Sequence, residues 1–296
     1  MFNEVLFVIV CRVAIIWNHQ MYMNFQQSIS NMEQCLNFTD FSVKKGNVLS
    51  MLSRMILIHL LFFGIHIREL VIKLQNGDLE ILLYNLYHVV TLYHQTIILQ
   101  IITITNCFLF TRYKFLRTQL HSIIQSEKPN AIGLKFRKKP KLKEAFILFK
   151  QISKVSLNMS KTFGLHVFLA SSSTVIISLN CIVFLIFVDD NKDLFIYLTH
   201  TLIYLISYVI VVLRSEDVES ESRKIIRFCY ENQESLSGNH LEFELMRFAD
   251  ICNHLAPNFS AAGFFTFNKS VLSAVFSSIL AYLITIIQLD IALRKP

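Results

Sequence analysis

Between Ser270 and Asp290 runs a stretch of about twenty residues with no charged side chain, yet with polar groups at regular steps. Ser270, Ser273, Ser277, Ala281, Thr285 and Gln288 recur every three or four residues, so a helix brings them onto one face. Val271, Val275, Ile279, Tyr282 and Ile286 fall on the other faces. Hydroxyls and an amide can bond another helix or hold water, but they have no partner in a hydrocarbon chain. Two chemistries fit such a stripe. Small residues allow close helix packing with hydrogen bonds across the contact. Alternatively the stripe borders a water-filled path, where polar groups at membrane depth are tolerated. Both stay open at this point.

The elements that would hold this stripe follow from composition. Of 296 residues, 53% are hydrophobic and 17% charged, and the mean hydropathy is +0.48. Soluble domains carry about 25% charged residues, so an all-α membrane protein is expected. Apolar runs of spanning length occur at about 1–17, 51–67, within 84–110, at 166–188, 194–213 and 270–290. That gives a six-span transmembrane bundle. Residues 1–17 lack the positive start and small-residue cleavage site of a signal peptide.

The net charge of +7 is concentrated rather than spread. Thirteen Lys and Arg lie within 111–165, opposed only by Glu127 and Glu144. Between membrane spans this reads as a cytoplasmic loop attracted to anionic lipid, not as a nucleic-acid patch. It places the polar segments 18–50 and 214–268 inside as well, with both chain ends outside. Phe146, Phe149, Ile152, Val155 and Met159 have helical spacing and predict an amphipathic helix leading into the fourth span. Leu241, Leu245, Phe248, Ile251 and Leu255 predict a second, stopped by Pro257. The expected organisation is a helical bundle with cytoplasmic extensions over 1–236, followed by an amphipathic helix and last span over 237–296.

Enzyme motifs find no match. The chain has no HExxH, no GxSxG and no glycine-rich phosphate loop. Its six cysteines include no CxxC pair, so neither a disulfide framework nor a metal site is expected, and no cofactor is implied.

Ala281-Tyr282-Leu283-Ile284-Thr285-Ile286-Ile287-Gln288-Leu289 resembles the C-terminal signature of the insect gustatory receptors, Thr-Tyr, five apolar residues, Gln-Phe. Ala281 and Leu289 depart from it. The lead-in Phe259-Ser260-Ala261-Ala262-Gly263-Phe264-Phe265, with Phe267 and Asn268, also resembles that family. The close likeness covers about the last 50 residues. It implies a chemosensory taste receptor acting as a tetrameric, poorly selective, ligand-gated cation channel, with seven spans and an extracellular C-terminus. The six spans here match the family's second to seventh, and its first has no counterpart.

By this resemblance Gln288 and Leu289 form the gate near the outer end, with Thr285 and Ala281 deeper on the same face and Asp290 at the mouth. Tyr282 is expected to pack on a neighbouring helix. The partners implied are a small-molecule tastant, membrane lipid, and further copies of this or related receptors. The implied location is the plasma membrane of sensory dendrites. Candidates for a pocket in the outer half are His66, Tyr87, His88, Asn180, His200 and Tyr204, since intramembrane ionisable and polar residues are functional candidates. Two other readings are carried. Thr111-Arg112-Tyr113 faintly resembles the Asp-Arg-Tyr motif of G-protein-coupled receptors, but Pro129, Pro140, Pro257 and Pro296 all fall outside the spans. A non-conducting accessory subunit is the other.

Sequons at Asn37, Asn158, Asn258 and Asn268 lie on the inner side in this topology. All four are expected to stay unglycosylated in cells, so peptide N-glycosidase treatment should leave the gel mobility unchanged; a shift would invert the topology.

Overall fold

The computed structural model describes residues 19–35, 79–127, 142–187, 191–233 and 240–293, with Ser53, Leu60, Gly64, Ile67, Val71 and Leu74 as isolated helical positions. The readings of spans at 1–17 and 51–67 lie outside, or almost wholly outside, these residues.

Among the described residues there are six longer helices and one small hairpin: α1 (His19–Cys35), α2 (Leu79–Glu127), α3 (Leu142–Phe187), α4 (Asn191–Gln233), α5 (His240–His254), β1 (Ser260–Ala261), β2 (Phe265–Thr266) and α6 (Lys269–Leu293). Within α2, α3 and α6, the stretches Tyr93–Gln125, Leu142–Ile186 and Lys269–Ala292 are long and apolar enough to cross a membrane.

Leu99, Ile102, Asn106, Leu109, Tyr113, Leu116 and Leu120 alternate steps of three and four along α2, and all are buried. That spacing makes one continuous seam against α3 and α4. The matching face of α3 is Ala145, Leu148, Ile152, Val155, Met159, Val167 and Ala170. The first amphipathic reading is therefore realised, but as the opening turns of one 46-residue helix that continues into the apolar stretch. Two polar pairs bridge the contacts between these helices. Asn106 Nδ2 donates to Ser215 Oγ at 2.9 Å, tying α2 to α4. Ser171 Oγ and Tyr208 OH, 2.8 Å apart, tie α3 to α4.

The structure corrects two segments read as polar loops. Residues 19–35 form a helix, because Phe25, Ser28 and Met32 give it a face buried on α3 despite its polar average. Asn158 Nδ2 donates to Ser28 Oγ at 2.6 Å and the Phe25 ring meets Phe163 edge-on. Residues 214–233 continue the fifth span as helix rather than leaving it. Ion pairs one turn apart support them: Arg214–Asp217 at 3.3 Å, Arg223–Glu219 at 2.7 Å and Arg227–Glu231 at 2.7 Å.

One ion pair in this region is of a different kind. The Glu221 side chain is only 2% exposed, and it meets Arg117 Nε of α2 at 2.8 Å and Lys224 Nζ at 3.1 Å. A carboxylate buried at a helix contact depends on its cations. Arg117→Ala should lower stability by about 1–3 kcal/mol, the cost of leaving a buried group short of a partner. Arg117→Ala with Glu221→Leu should recover part of it. Thermal unfolding in detergent reads both.

Candidate functional site: the last helix and its attachment

Asn268 starts α6. Its side-chain oxygen accepts from the Ser270 backbone N–H at 3.1 Å, an N-cap. Val275 is buried against the bundle, with Val271, Leu272, Ile279 and Ile286 half-buried on the same side. The stripe Ser270, Ser273, Ser277, Ala281, Thr285 and Gln288 is exposed along its whole length. It lies roughly opposite Val275, at 100° per residue. The side of α6 turned away from Val275 thus carries the polar stripe, together with exposed Leu280 and Ile284. Thr285 Oγ1 donates to the Ala281 carbonyl at 2.9 Å, within the helix. Leu289 is exposed and Asp290 half-buried. Tyr282 is on the Val275 side, yet more than half exposed in the single chain.

The other candidates are dispersed or lie beyond description. Tyr204 is buried in the core and Asn180 is exposed on α3. Tyr87 and His88 are on α2 and His200 on α4, with side chains outside the described residues. His66 is outside them altogether.

What precedes α6 was legible only as a string of aromatics and small residues. It is a hairpin. Ser260 pairs with Thr266 and Ala261 with Phe265, antiparallel. The Phe264 N–H donates to the Ala261 carbonyl at 3.0 Å, and Ala262 and Gly263 have φ of 52° and 86°. Positive φ at both central positions makes this a type I′ turn. The signal was present in Ala262-Gly263, a small pair ending in glycine.

The hairpin backbone lies on α3 at Gly164. A Cβ there would stand 2.8 Å from both Ala262 N and Ser260 O. One turn away on either side are further contacts. The Ser260 N–H donates to Ser160 Oγ at 3.0 Å, and the Phe264 ring stacks on Phe168 at 4.4 Å. Ser153 Oγ donates to the Leu255 carbonyl. From α4, Tyr208 meets the Phe267 ring edge-on at 5.9 Å.

Glu216 of α4 completes the attachment. Its carboxylate takes the Lys269 backbone N–H at 2.8 Å and the Lys269 ammonium at 3.0 Å. Burial works to raise its pKa, but the bonds and charge of Lys269, with Arg223 nearby, outweigh it and hold the group below its ordinary 4.5.

The sequence pattern of the 7tm chemosensory receptors matches residues 2–293. The chain belongs to this family. The match agrees with the gustatory-receptor likeness read from the last helix, and makes the chain a membrane chemoreceptor of a family that is not one of enzymes. No curated protein matches the chain.

The Glu216–Lys269 link carries a pH prediction. A carboxyl held below its unfolded value stabilises above that value, and the contribution fades as pH falls through the lowered one. Wild-type stability relative to Glu216→Gln should be constant from pH 8 to about 5 and shrink below about 4.5. Melting temperatures of the two proteins across that range check it; a gap that widens in acid would contradict the assignment.

Proposed function

We propose that this chemoreceptor is a ligand-gated cation channel of the gustatory type, in which the last helices of four copies surround a pore. The observation that supports it best is the exposed polar stripe of α6. An uncharged face of serines, threonine and glutamine on a helix with the composition of a membrane span needs something other than lipid to meet it. Facing other copies of itself around an axis, it would border water. Gln288 amides there would offer dipoles without net charge, suited to a pore of low ion selectivity, with Leu289 narrowing it and Asp290 gathering cations at the mouth.

The amphipathic α5 and the amphipathic start of α3 would form the anchor between subunits, with 1–236 serving as bundle with its cytoplasmic helical extensions and 237–296 as anchor helix and pore helix. A small molecule would bind among His66, Tyr87, His88, Asn180, His200 and Tyr204 in the outer half. The plasma membrane of a sensory cell is the fitting location, and a tastant the fitting ligand.

The test has two parts. Native mass spectrometry of the purified chain should give four times 34.4 kDa. Current recordings with a panel of tastants should then find responses whose selectivity or block changes in Gln288→Ala. A monomer that conducts nothing would remove the channel reading and leave the accessory-subunit one. Currents unchanged in Gln288→Ala would move the gate elsewhere.

A further inference from the structure

Between Ala145 and Gly164 the helix α3 is covered on most of its circumference, and its exposed residues form one strip. They are Ile147, Lys150, Lys154, Leu157 and Lys161. Lys143, a turn earlier, is exposed in the same line, beside Glu144. Steps of four and three residues in alternation keep these positions on one face of the helix. Over about eighteen residues the strip is ~27 Å long.

Neighbouring elements flank both of its edges. On one edge Phe149 meets the Phe248 ring of α5 at 6.2 Å, and Ser153 Oγ donates to the Leu255 carbonyl. On the other, Asn158 bonds Ser28 and Thr162 bonds the Met21 carbonyl of α1. Beyond Lys161 the same line continues as Gly164 and Phe168. There the chain covers it with its own hairpin backbone and the Phe264 ring.

The charges of the strip are unmatched. Among the described residues, Lys143, Lys150, Lys154 and Lys161 have no ion-pair partner. Other cations of the chain are matched: Arg117 Nε, Lys224 Nζ and Lys269 Nζ meet carboxylates at 2.8, 3.1 and 3.0 Å. Helix α1 offers no acid along this edge, since residues 20–31 carry no charge. On α5, Asp250 takes the Tyr230 hydroxyl of α4.

We infer that this strip is a docking face for an acidic amphipathic helix of another protein. Its carboxylates would meet the four lysines, and its apolar residues would meet Ile147 and Leu157. The spacing favours a helix, because alternating steps of three and four are those of a seam between two helices. Ile147 and Leu157 are 42% and 51% exposed in line with the lysines, and a chain of phosphates has no use for them. A lipid surface fits no better. The same helix continues into its apolar stretch, so the strip runs away from the membrane and only its Lys161 end is near it. A partner that must encircle a basic helix is excluded by the burial of the other faces. A second copy of this chain is poorly matched, since Glu219, Glu221 and Glu231 are already held by cations of their own helix.

The test uses the full chain in nanodiscs of neutral phosphatidylcholine. The probe is a fluorescein-tagged helical peptide of three heptads, with leucine at a and glutamate at d, e and g. Anisotropy should show saturable binding that weakens as salt rises. Lys150→Glu with Lys154→Glu should weaken it about tenfold. Lys138→Glu with Lys139→Glu, an equal change of charge in the stretch before α3, should stay within about twofold of wild type. Leu157→Ser changes no charge and should still weaken binding about threefold.

No saturable binding would overturn the docking face. So would equal losses from the two charge reversals, or equal affinity for a peptide of scrambled order, since either means attraction to net charge alone. Two further results would overturn it by naming another occupant. A short single-stranded RNA that outbinds the peptide, with the same dependence on Lys150 and Lys154, would assign the face to phosphates. An oligomer that Lys150→Glu with Lys154→Glu takes apart, without peptide binding in wild type, would assign it to a second copy. None of these readouts involves a tastant or a current, so the docking face stands or falls apart from the channel reading.

Discussion

The backbone of residues 260–262 occupies the space that a side chain at position 164 would fill, and the arrangement of the chain's last forty residues depends on that substitution of main chain for side chain. Once the hairpin lies there, Ser160 and Phe168 fall one turn to either side and meet it with a hydrogen bond and a ring. The strand that leaves the hairpin delivers Phe267 to Tyr208 and Lys269 to Glu216. Only then does α6 begin, capped by Asn268 and aimed so that Val275 faces the bundle and the polar stripe does not.

A second constraint acts inside the bundle. Where α2, α3 and α4 meet, the side chains are mostly apolar, and hydrophobicity alone gives such helices little reason to prefer one register over another in lipid. Asn106 with Ser215, and Ser171 with Tyr208, supply that preference, since a slip of one residue would strand all four groups. Toward the basic end the same task passes to charge, with Glu221 held between Arg117 and Lys224. Specificity comes from hydrogen bonds at one depth and ion pairs at another.

Much of this was legible in sequence, and the failures have physical causes. The stripe on α6 was readable because one helix fixes its own faces: periodicity alone places Ser277 and Gln288 on the same side. The amphipathic segments around Phe149 and Leu245 were readable for the same reason. The helix at 19–35 was not, because its apolar face rests on only a few residues such as Phe25 and Met32, and the average around them is polar. Residues 214–233 were misjudged because charge density suggested a loop, whereas opposite charges three or four apart stabilise a helix. The hairpin seat was beyond reach, since nothing in Gly164 announces which distant backbone it admits. The pocket candidates show the converse limit. Polar residues in apolar runs can be named one by one, but whether Asn180 and Tyr204 share a cavity depends on packing between helices, which their spacing does not encode.

The long helices have a mechanical meaning of their own. Neither α2, with 49 residues, nor α4, with 43, contains a proline or a glycine. At ~1.5 Å per residue they are rods of ~74 and ~65 Å, each about twice as long as hydrocarbon is thick. Sharp kinks arise mostly at proline, at small-residue pairs or at bulges, and these rods have neither of the residues that most readily bend a helix. Such a rod has no ready hinge where its apolar half meets its charged half. The two halves are one mechanical piece, so a tilt of either is a tilt of both.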